Sequence, residues 1–258
     1  MPQWDAELYL KFANERTQPS IDLIRRINLT APRRIIDLGC GPGNSTEALR
    51  RRWPEAAVIG LDSSPQMIET ARREYPDGTW VLADAASWKP GEPVDLVFAN
   101  AVLQWLPDHE KLCRRLFDQV APGGAFAVQV PAPAHYDSPI HRGIISVSED
   151  PAWNDLVKGA RTRFTREPAS LYYDALRPSA SNMDLWETTY YHIVAGPEAL
   201  LEWYRGTGLR PFLEALPSDD ERRRFERMVL DRYTATYLRQ SDGKVLFPFH
   251  RLFFVAYR

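Results

Sequence analysis

The run IIDLGCGPGN, at residues 35–44, decides the fold of this chain. A mostly apolar stretch leads into glycines at three alternate positions, Gly39, Gly41 and Gly43, and a polar stretch with helical character follows. Glycine tolerates positive φ angles and lets a ligand approach the backbone closely. A strand, a glycine-rich turn and a helix in this order predict a ligand-binding turn at the edge of an α/β sheet.

The spacing of the three glycines argues against two common nucleotide sites. A dinucleotide fingerprint, G-x-G-x-x-G, requires glycine at the position of Asn44, which disfavours a nicotinamide or flavin enzyme. No Gly-Lys-Ser/Thr sequence follows the turn, so a P-loop is excluded.

Short apolar runs recur on both sides of this turn and are bounded by Gly, Pro or Asp. They lie at residues 35–38, 58–61, 80–82, 94–99 and 125–130. Stretches with helical character separate them, at residues 45–53, 65–75 and 108–120. Alternation of buried strands with helices predicts a doubly wound parallel sheet.

The remaining segments predict one domain built around that sheet, an α/β Rossmann-like sheet of seven strands with helices on both faces and a helical cap. We expect an N-terminal lid of two helices at 1–30, split near residues 17–19, and a core at 31–130. The cap would comprise 131–185 and 196–243, and β-prone segments at 186–195 and 244–258 would close the sheet.

Composition narrows the function. The 258 residues are 44% apolar, enough for a sizeable core, and the net charge of -2 excludes a mainly disordered chain. Because 32 cations face 34 anions, a nucleic-acid or membrane-surface role is disfavoured. Only five of those cations are lysine, an excess of arginine that high-GC coding would also produce. Arginine is nevertheless the better bidentate binder of carboxylates.

Cysteine usage and the chain ends point to a reducing compartment. Cys40 and Cys113 are too few for a disulfide framework and lie in no metal-binding pattern, so no metal is expected. The N-terminal residues show no signal-peptide pattern, and no apolar stretch approaches the length of a membrane span. We therefore expect a cytoplasmic protein.

Acidic residues follow the second and third predicted strands. Asp62 comes about 20 residues after the last glycine, where a carboxylate can accept hydrogen bonds from a ribose diol. Asp84 could accept from an adenine amino group while the Ala85 backbone N–H serves the ring. Met67 lies on the helix after Asp62 and could cover the adenine face.

This block, about residues 33–130, resembles the class I S-adenosylmethionine-dependent methyltransferases. The resemblance implies that the glycine turn holds the methionine part of the cofactor, and that the two acids bind ribose and adenine. It implies S-adenosyl-L-methionine as cofactor and S-adenosyl-L-homocysteine as product. The cofactor-binding residues expected on this basis are Asp37, Gly39, Gly41, Gly43, Asp62, Ser63, Met67, Asp84, Ala85, Asn100 and Trp105.

The fourth strand ends in Asn100, followed by Ala101 and Val102. Methyltransferases that act on exocyclic base amines resemble one another in an Asn/Asp-Pro-Pro-aromatic run at this position, and the chain lacks it. Together with the near-neutral charge, this argues against a nucleic-acid substrate.

The chain as a whole resembles the trans-aconitate methyltransferase family. The shared features are ERT at residues 15–17, LQWLPD at 103–108 and WYRGTGLRPF at 203–212. The resemblance implies methyl transfer to one carboxylate of a small tricarboxylic acid, which gives a monomethyl ester. A carboxylate with a pKa of roughly 4 is already ionised at neutral pH, so no general base is required and the mechanism is one of positioning.

Holding the other carboxylates calls for bidentate, permanently charged side chains. The candidates for this clamp are Arg16 in the lid, Arg142, Arg205 and His135. Weaker candidates are Tyr172, Tyr173 and Arg177. The arginine runs at 50–52 and 222–224 are interpreted as solvated helix faces.

Three other functions stay open. A methyltransferase of another small-molecule O or N acceptor would need a base near Asn100 or in the cap, where His135 or His192 would serve. A non-catalytic S-adenosylmethionine-binding protein would need no turnover. A nicotinamide oxidoreductase is disfavoured by the glycine spacing.

Overall fold

The computed structural model describes residues 13–162 and 166–258, with side chains from Thr17 onward. One sheet of seven strands runs through them, in the order β3-β2-β1-β4-β5-β7-β6. Pairs β1–β2, β2–β3, β1–β4 and β4–β5 are parallel, and β5–β7 is antiparallel. The strands are β1 Arg34–Leu38, β2 Ala57–Asp62, β3 Thr79–Leu82, β4 Val94–Asn100, β5 Val120–Pro131, β6 Asn182–Val194 and β7 Val245–Tyr257.

This sheet and its helices confirm the predicted Rossmann-like fold. The helices are α1 Ala13–Arg26, α2 Asn44–Arg52, α3 Pro65–Glu74, α4 His109–Phe117, α5 Pro133–Tyr136, α6 Pro139–Ser148, α7 Asn154–Arg161, α8 Ala169–Leu176, α9 Pro197–Arg205, α10 Arg210–Ala215 and α11 Asp219–Thr236. A short 3-10 turn spans Leu103–Trp105. The strand order reverses between β1 and β4, and ligands of open α/β sheets bind at the carboxyl ends of strands at such a point.

The predicted break of the N-terminal helices near residues 17–19 is wrong. Helix α1 continues through Pro19, although proline removes a helical hydrogen bond. Pro19 and Ser20 are both buried, and the Ser20 hydroxyl donates to the Thr17 carbonyl at 2.8 Å. Packing of the buried face therefore offsets the local penalty. Residues 1–12 of the predicted lid lie outside the described residues.

The chain forms two compact units. The first comprises Met1–Pro131, Glu167–Thr188 and Arg251–Arg258, and the second comprises Ala132–Arg166 and Thr189–His250. The predicted cap segments overlap the second unit, but α8, which was predicted as part of the cap, lies in the first. The predicted domain limits stay a prediction.

Each unit has its own aromatic core. In the first unit, Phe126 of β5 and Phe254 of β7 meet edge to face with ring centroids 5.6 Å apart. In the second, Trp153 packs edge to face against Phe225 of α11 at 5.2 Å. The parallel strand β4 is apolar along most of its length because both of its faces are covered, as expected for a central strand.

No helix in the described ranges is long and apolar enough to cross a membrane.

Candidate active site

The glycine turn after β1 is built from three residues with positive φ, at 63° for Gly39, 55° for Gly41 and 98° for Gly43. A Cβ atom on Gly39 would collide with the Val102 side chain, and one on Gly43 would lie 2.7 Å from Trp80. At Gly41 no atom lies within 4 Å of the Cβ position. The outer glycines are therefore required for packing, whereas Gly41 leaves space in which a ligand can approach the backbone.

Asp62, at the end of β2, is hydrogen-bonded to the backbone of this turn. Its Oδ2 accepts from the Gly41 N–H at 2.9 Å, and its Oδ1 accepts from the Ser64 N–H at 2.8 Å. Burial raises the pKa of the Asp62 carboxyl, and the backbone donors oppose that rise. Each carboxylate oxygen can accept more than one hydrogen bond, so Asp62 retains capacity to bind a diol.

Asp37 lies beneath the turn and is completely buried. The hydroxyls of Ser45 and Thr46, in the first turn of α2, both donate to its Oδ2 at 2.6 Å. Among the described residues none donates to Oδ1. Burial raises the pKa of Asp37 to about 7, although the two hydroxyl donors oppose this rise. The carboxyl therefore presents one unoccupied acceptor within the first unit.

After β3, Asp84 is exposed and its Oδ1 accepts from the Ala86 N–H at 2.8 Å. Arg115 of α4 fixes this loop by donating to the Ala85 carbonyl at 2.8 Å and to the Trp88 carbonyl at 2.7 Å. Ala85 itself is buried. The loop is thus held rigidly, with the Asp84 side chain at its surface.

Helix α3 begins beside Asp62. Ser64 is its N-cap, and the Ser64 hydroxyl accepts from the Met67 N–H at 3.4 Å. Met67 is buried and Ser63 is exposed. Of these two predicted cofactor residues, Met67 is therefore also a core residue.

The ends of β4 and β5 bring two amides together. Asn100 and Gln129 are register partners on parallel strands, so their side chains emerge on the same side of the sheet. Asp37 pairs with Phe98, two residues before Asn100, and shares that side. The Asn100 Oδ1 and Gln129 Nε2 atoms are buried and have no partner within residues 13–162 and 166–258, and neither has Oδ1 of Asn44.

Gln129 is a site residue that sequence reasoning missed. The only available signal was a polar residue near the end of an apolar strand, in AFAVQVP at residues 125–131. Gln129 is 1% exposed, and buried polar groups in folded proteins nearly always have a partner. Its unsatisfied donor therefore indicates a ligand.

The loop between β4 and α4 is strained and held in place. Ala101 and Asp108 adopt positive φ angles of 58° and 53°. His109 bonds the Leu103 carbonyl through Nε2 and the Tyr172 hydroxyl through Nδ1, each at 2.7 Å. Burial lowers the pKa of His109, so the neutral ring donates from Nε2 and accepts from Tyr172. This contact fixes the turn that carries Trp105, which is partly buried.

Each predicted clamp residue whose side chain is described is either exposed or already has a partner. Arg205 makes a bidentate ion pair with Glu226, at 2.7 and 3.1 Å, and its side chain is 46% exposed. Arg142 is exposed on α6. His135 is buried, with Nε2 2.8 Å from the Tyr204 hydroxyl. Arg16 lies on α1, but its side chain is outside the described part of the chain.

The weaker candidates also have other contacts. Tyr172 is buried against His109, and Arg177 donates to the Ala180 carbonyl at 2.8 Å. Tyr173 is largely exposed. In the arginine runs, Arg51 pairs with Glu47 and Arg223 with Asp220 on helix surfaces, as expected for solvated faces. Arg222 departs from this interpretation, because it is partly buried and donates to the Leu216 carbonyl at 3.2 Å.

Among the residues whose burial is described, two buried arginines were not predicted as site residues. Arg210 of α10 is 8% exposed and pairs with Glu214 at 3.3 Å. Arg251 is also 8% exposed, on β7 opposite Pro131. A cation within the otherwise apolar run FPFHRLFFVA, at residues 247–256, was the signal that could have identified Arg251.

His141, in the second unit, is poorly suited to act as the base that an alternative acceptor would need. Burial, reinforced by Arg166, lowers the pKa of His141 to about 3. Its ring lies against His135, with centroids 5.0 Å apart. Across the described ranges, no three His, Cys, Asp or Glu side chains cluster in a way that could hold a metal ion.

The first unit fits the expected cofactor. The open space at Gly41 can admit a ligand to the backbone, and Asp62 can accept a ribose diol. The buried acceptors of Asp37, Asn44 and Asn100 suit an ammonium group.

Comparison with known proteins agrees with this fit. A family model described as a methyltransferase domain matches residues 35–124. The trans-aconitate 2-methyltransferase of Azoarcus sp. (strain BH72) is 47% identical over 259 residues, covering 100% of both chains. That of Methylobacterium nodulans is 48% identical over 262 residues, covering 100% of this chain and 99% of its own.

Solved structures with low identity share the fold. The YcgJ protein from Bacillus subtilis superposes with a TM-score of 0.56 at 16% identity, covering 93% of this chain and 98% of its own. A plantazolicin methyltransferase, solved with S-adenosylhomocysteine, gives 0.54 at 14% identity, covering 98% and 90%. Given the full-length identity to the curated relatives, this chain belongs to the family of S-adenosylmethionine-dependent trans-aconitate 2-methyltransferases.

Proposed function

We propose that the chain transfers a methyl group from S-adenosylmethionine to one carboxylate of trans-aconitate and so forms the monomethyl ester. The observation that carries this proposal is the identity of 47% along the whole length of a curated relative of that name. When bound, S-adenosylmethionine supplies the methyl group: a carboxylate oxygen of the substrate bonds to the methyl carbon as the carbon–sulfur bond breaks, and S-adenosylhomocysteine leaves.

The cofactor would be held by the first unit. The open turn at Gly41 would take the methionine end, Asp62 would accept the ribose hydroxyls, and Asp84 with Ala85 would take the adenine. The residues proposed to surround these are Asp37, Gly39, Gly43, Ser63, Met67, Asn100 and Trp105. The unoccupied acceptors of Asp37 and Asn100 support this assignment.

The reaction requires the protein mainly to align the substrate carboxylate and to exclude water. A carboxylate has a pKa of roughly 4 and is the nucleophile at neutral pH, so no proton is transferred. The chain's residues have to align the carboxylate and exclude water, an effect that can be worth about 7–11 kcal/mol. The substrate is a small anion, and we propose a cytoplasmic location, which the two buried free thiols Cys40 and Cys113 support.

The direct test is the mass of the product. Purified protein with S-adenosylmethionine should add one methyl group to trans-aconitate, and a panel of di- and tricarboxylates shows its range. With S-adenosylmethionine saturating, so that titration of Asp37 near pH 7 does not limit cofactor binding, a rate that stays flat across neutral pH supports a carboxylate acceptor. A base titrating near pH 7 under the same conditions indicates an O or N acceptor. Failure to methylate any carboxylic acid would overturn the proposed function.

The cofactor assignment is tested at Asp62. Replacing Asp62 by Ala removes both the diol acceptor and the contacts that hold the Gly41 and Ser64 backbones. Calorimetry should show weaker binding of S-adenosylhomocysteine. Unchanged affinity would contradict the proposal that Asp62 binds the ribose hydroxyls.

The clamp of Arg16, Arg142, Arg205 and His135 remains part of the proposal. If Arg16 and Arg205 bind substrate carboxylates, their alanine variants should raise the KM for trans-aconitate far more than that for the cofactor. Glu226→Gln is the informative companion, because it releases Arg205 from its present ion pair. A lower KM in Glu226→Gln supports Arg205, and wild-type kinetics in all three variants would remove both arginines from the clamp.

A further inference from the structure

The strand register places a buried amide, Gln129, and a buried guanidinium, Arg251, on the same side of the sheet as Asn100. Gln129 of β5 pairs with Phe253 of β7, and Pro131 pairs with Arg251. Paired residues emerge on the same side of a sheet, and so do residues two apart along a strand. Gln129 and Arg251 therefore share one side of the sheet, and Asn100 shares it with them.

Both side chains are buried donors. Gln129 is 1% exposed, and within the described residues its Nε2 has no acceptor. Arg251 is 8% exposed and carries a charge that is not lost at any physiological pH. A buried amide N–H and a buried guanidinium both favour an anion, and neither is part of the clamp proposed above.

The unsatisfied atoms of the first unit include both acceptors, which suit a cation, and a donor, which suits an anion. Oδ1 of Asp37, Asn44 and Asn100 repel a carboxylate and suit the cofactor's ammonium. The Gln129 Nε2 is a buried donor of the first unit that has no acceptor among the described residues, and a carboxylate can use it. The substrate is thus expected on the β5–β7 side of Asn100.

The two donors differ in charge, and that difference assigns their roles. A guanidinium makes stronger hydrogen bonds than a neutral amide and withdraws more electron density from the oxygen that accepts them. A reacting carboxylate needs orientation with little loss of nucleophilicity, whereas a spectator carboxylate needs firm binding.

We propose that Gln129 orients the carboxylate that is methylated and that Arg251 binds a second carboxylate of the same substrate. This inference rests on the proposed function. Gln129 would donate to the oxygen that does not attack the methyl group. Arg251 would be the specificity-determining residue, since it distinguishes an acid with several carboxylates from one with a single carboxylate.

The experiment measures trans-aconitate binding to protein saturated with S-adenosylhomocysteine, and kcat/KM for acids with three, two and one carboxylates. Gln129→Glu is nearly isosteric and turns the donor into a repelling acceptor, so affinity for every acid should fall roughly 30-fold or more. Arg251→Met should penalise the tricarboxylate roughly 30-fold and a monocarboxylate only slightly. Arg251→Lys should recover part of the loss because it keeps the charge.

Gln119→Glu is the matched control. It makes the same change just before the other end of β5, where the Gln119 amide donates to the Arg115 carbonyl at 3.2 Å, and should leave the substrate affinity near wild type. Binding of S-adenosylhomocysteine, expected within about threefold of wild type in every variant, also reports whether each one is folded.

Two results would overturn the inference. If Gln129→Glu weakens S-adenosylhomocysteine as much as it weakens the acids, Gln129 faces the cofactor. If Arg251→Met penalises all acids equally, or Gln129→Glu matches Gln119→Glu, the two side chains do not divide the carboxylates. Failure of the proposed function is a separate observation, because it appears as wild-type protein that methylates no acid.

Discussion

At the scale of the residue, burial gives the Asp37 carboxyl unusual properties. Its ordinary pKa of 3.8 rises to about 7 because the side chain is fully enclosed, while Ser45 and Thr46 satisfy one of its oxygens. Below pH 4 the carboxyl is protonated in both the folded and the unfolded chain, so its burial in the neutral form does not lower the free energy of unfolding. Between pH 4 and 7 the unfolded chain ionises first, which lowers the free energy of unfolding.

Asp37→Asn should therefore flatten the pH dependence of stability. Asparagine keeps an acceptor for the two hydroxyls but does not titrate. The variant's free energy of unfolding relative to wild type should rise from pH 4 to pH 7, by on the order of 4 kcal/mol in total, and then level off. Urea unfolding at a series of pH values measures it, and parallel wild-type and variant curves would contradict the assignment.

The glycines of the turn should separate stability from binding. Gly39→Ala places a methyl group against Val102 and should destabilise the fold strongly. Gly41→Ala meets no atom within 4 Å, so its cost is the left-handed backbone alone, about 1–2 kcal/mol. Calorimetry should nevertheless show that Gly41→Ala weakens S-adenosylhomocysteine roughly tenfold or more, because the methyl group fills the ligand's space. Wild-type affinity would mean that the ligand does not enter there.

At the scale of the element, contacts to neighbouring elements hold the loop between β4 and α4, and one of them is the Ala101 N–H donating to the Gln129 carbonyl of β5 at 2.9 Å. Two non-glycine residues with positive φ bracket it, and such conformations persist only where neighbouring structure enforces them. Another such contact is made by the His109 ring, which lies between the Leu103 carbonyl and the Tyr172 hydroxyl of α8. Helix α8 therefore supports the site, although the sequence suggested that it belonged to the cap.

Tyr172→Phe should cost about 1–3 kcal/mol of unfolding free energy, because the buried His109 Nδ1 loses its donor. The adjacent Tyr173 is 43% exposed, and Tyr173→Phe should change stability by less than about 0.5 kcal/mol. Urea unfolding of the two variants side by side makes the comparison. Equal stability of the pair would show that the hydroxyl contact contributes nothing.

At the scale of the whole molecule, local patterns predicted the sheet well. The glycine turn, the short apolar runs and the β-prone segments correspond to the seven strands, because burial and turn chemistry act on neighbouring residues. The predicted break near Pro19 failed because burial of the helix face outweighs a local helix penalty.

The site was less accessible from sequence. Arg205 and Glu226 are 21 positions apart, and only tertiary packing makes them partners. Gln129 and Arg251 come together through the register of an antiparallel pair whose strands are far apart in the chain. Contacts of this kind are a property of the folded chain, so local sequence motifs cannot predict them.

Cofactor binding should stabilise the whole fold. A ligand at 100 times its Kd adds about 2.7 kcal/mol, which corresponds to a rise in Tm of about 5–10 °C for a chain of this size. Scanning calorimetry with S-adenosylhomocysteine measures the rise, and Asp62→Ala should show a smaller one at the same concentration. An unchanged Tm at a concentration shown to saturate the site would be inconsistent with binding to the folded state alone.

The two buried cysteines can report local opening of the structure through their reaction with a sulfhydryl reagent. Cys40 lies inside the glycine turn, packed with Trp80 and Ile68, and Cys113 is buried in α4. Burial raises the pKa of both thiols, so neither reacts with a sulfhydryl reagent until its surroundings open. The modification rate of Cys40 relative to that of Cys113 therefore distinguishes local opening of the glycine turn from unfolding of α4, and no engineered label is needed.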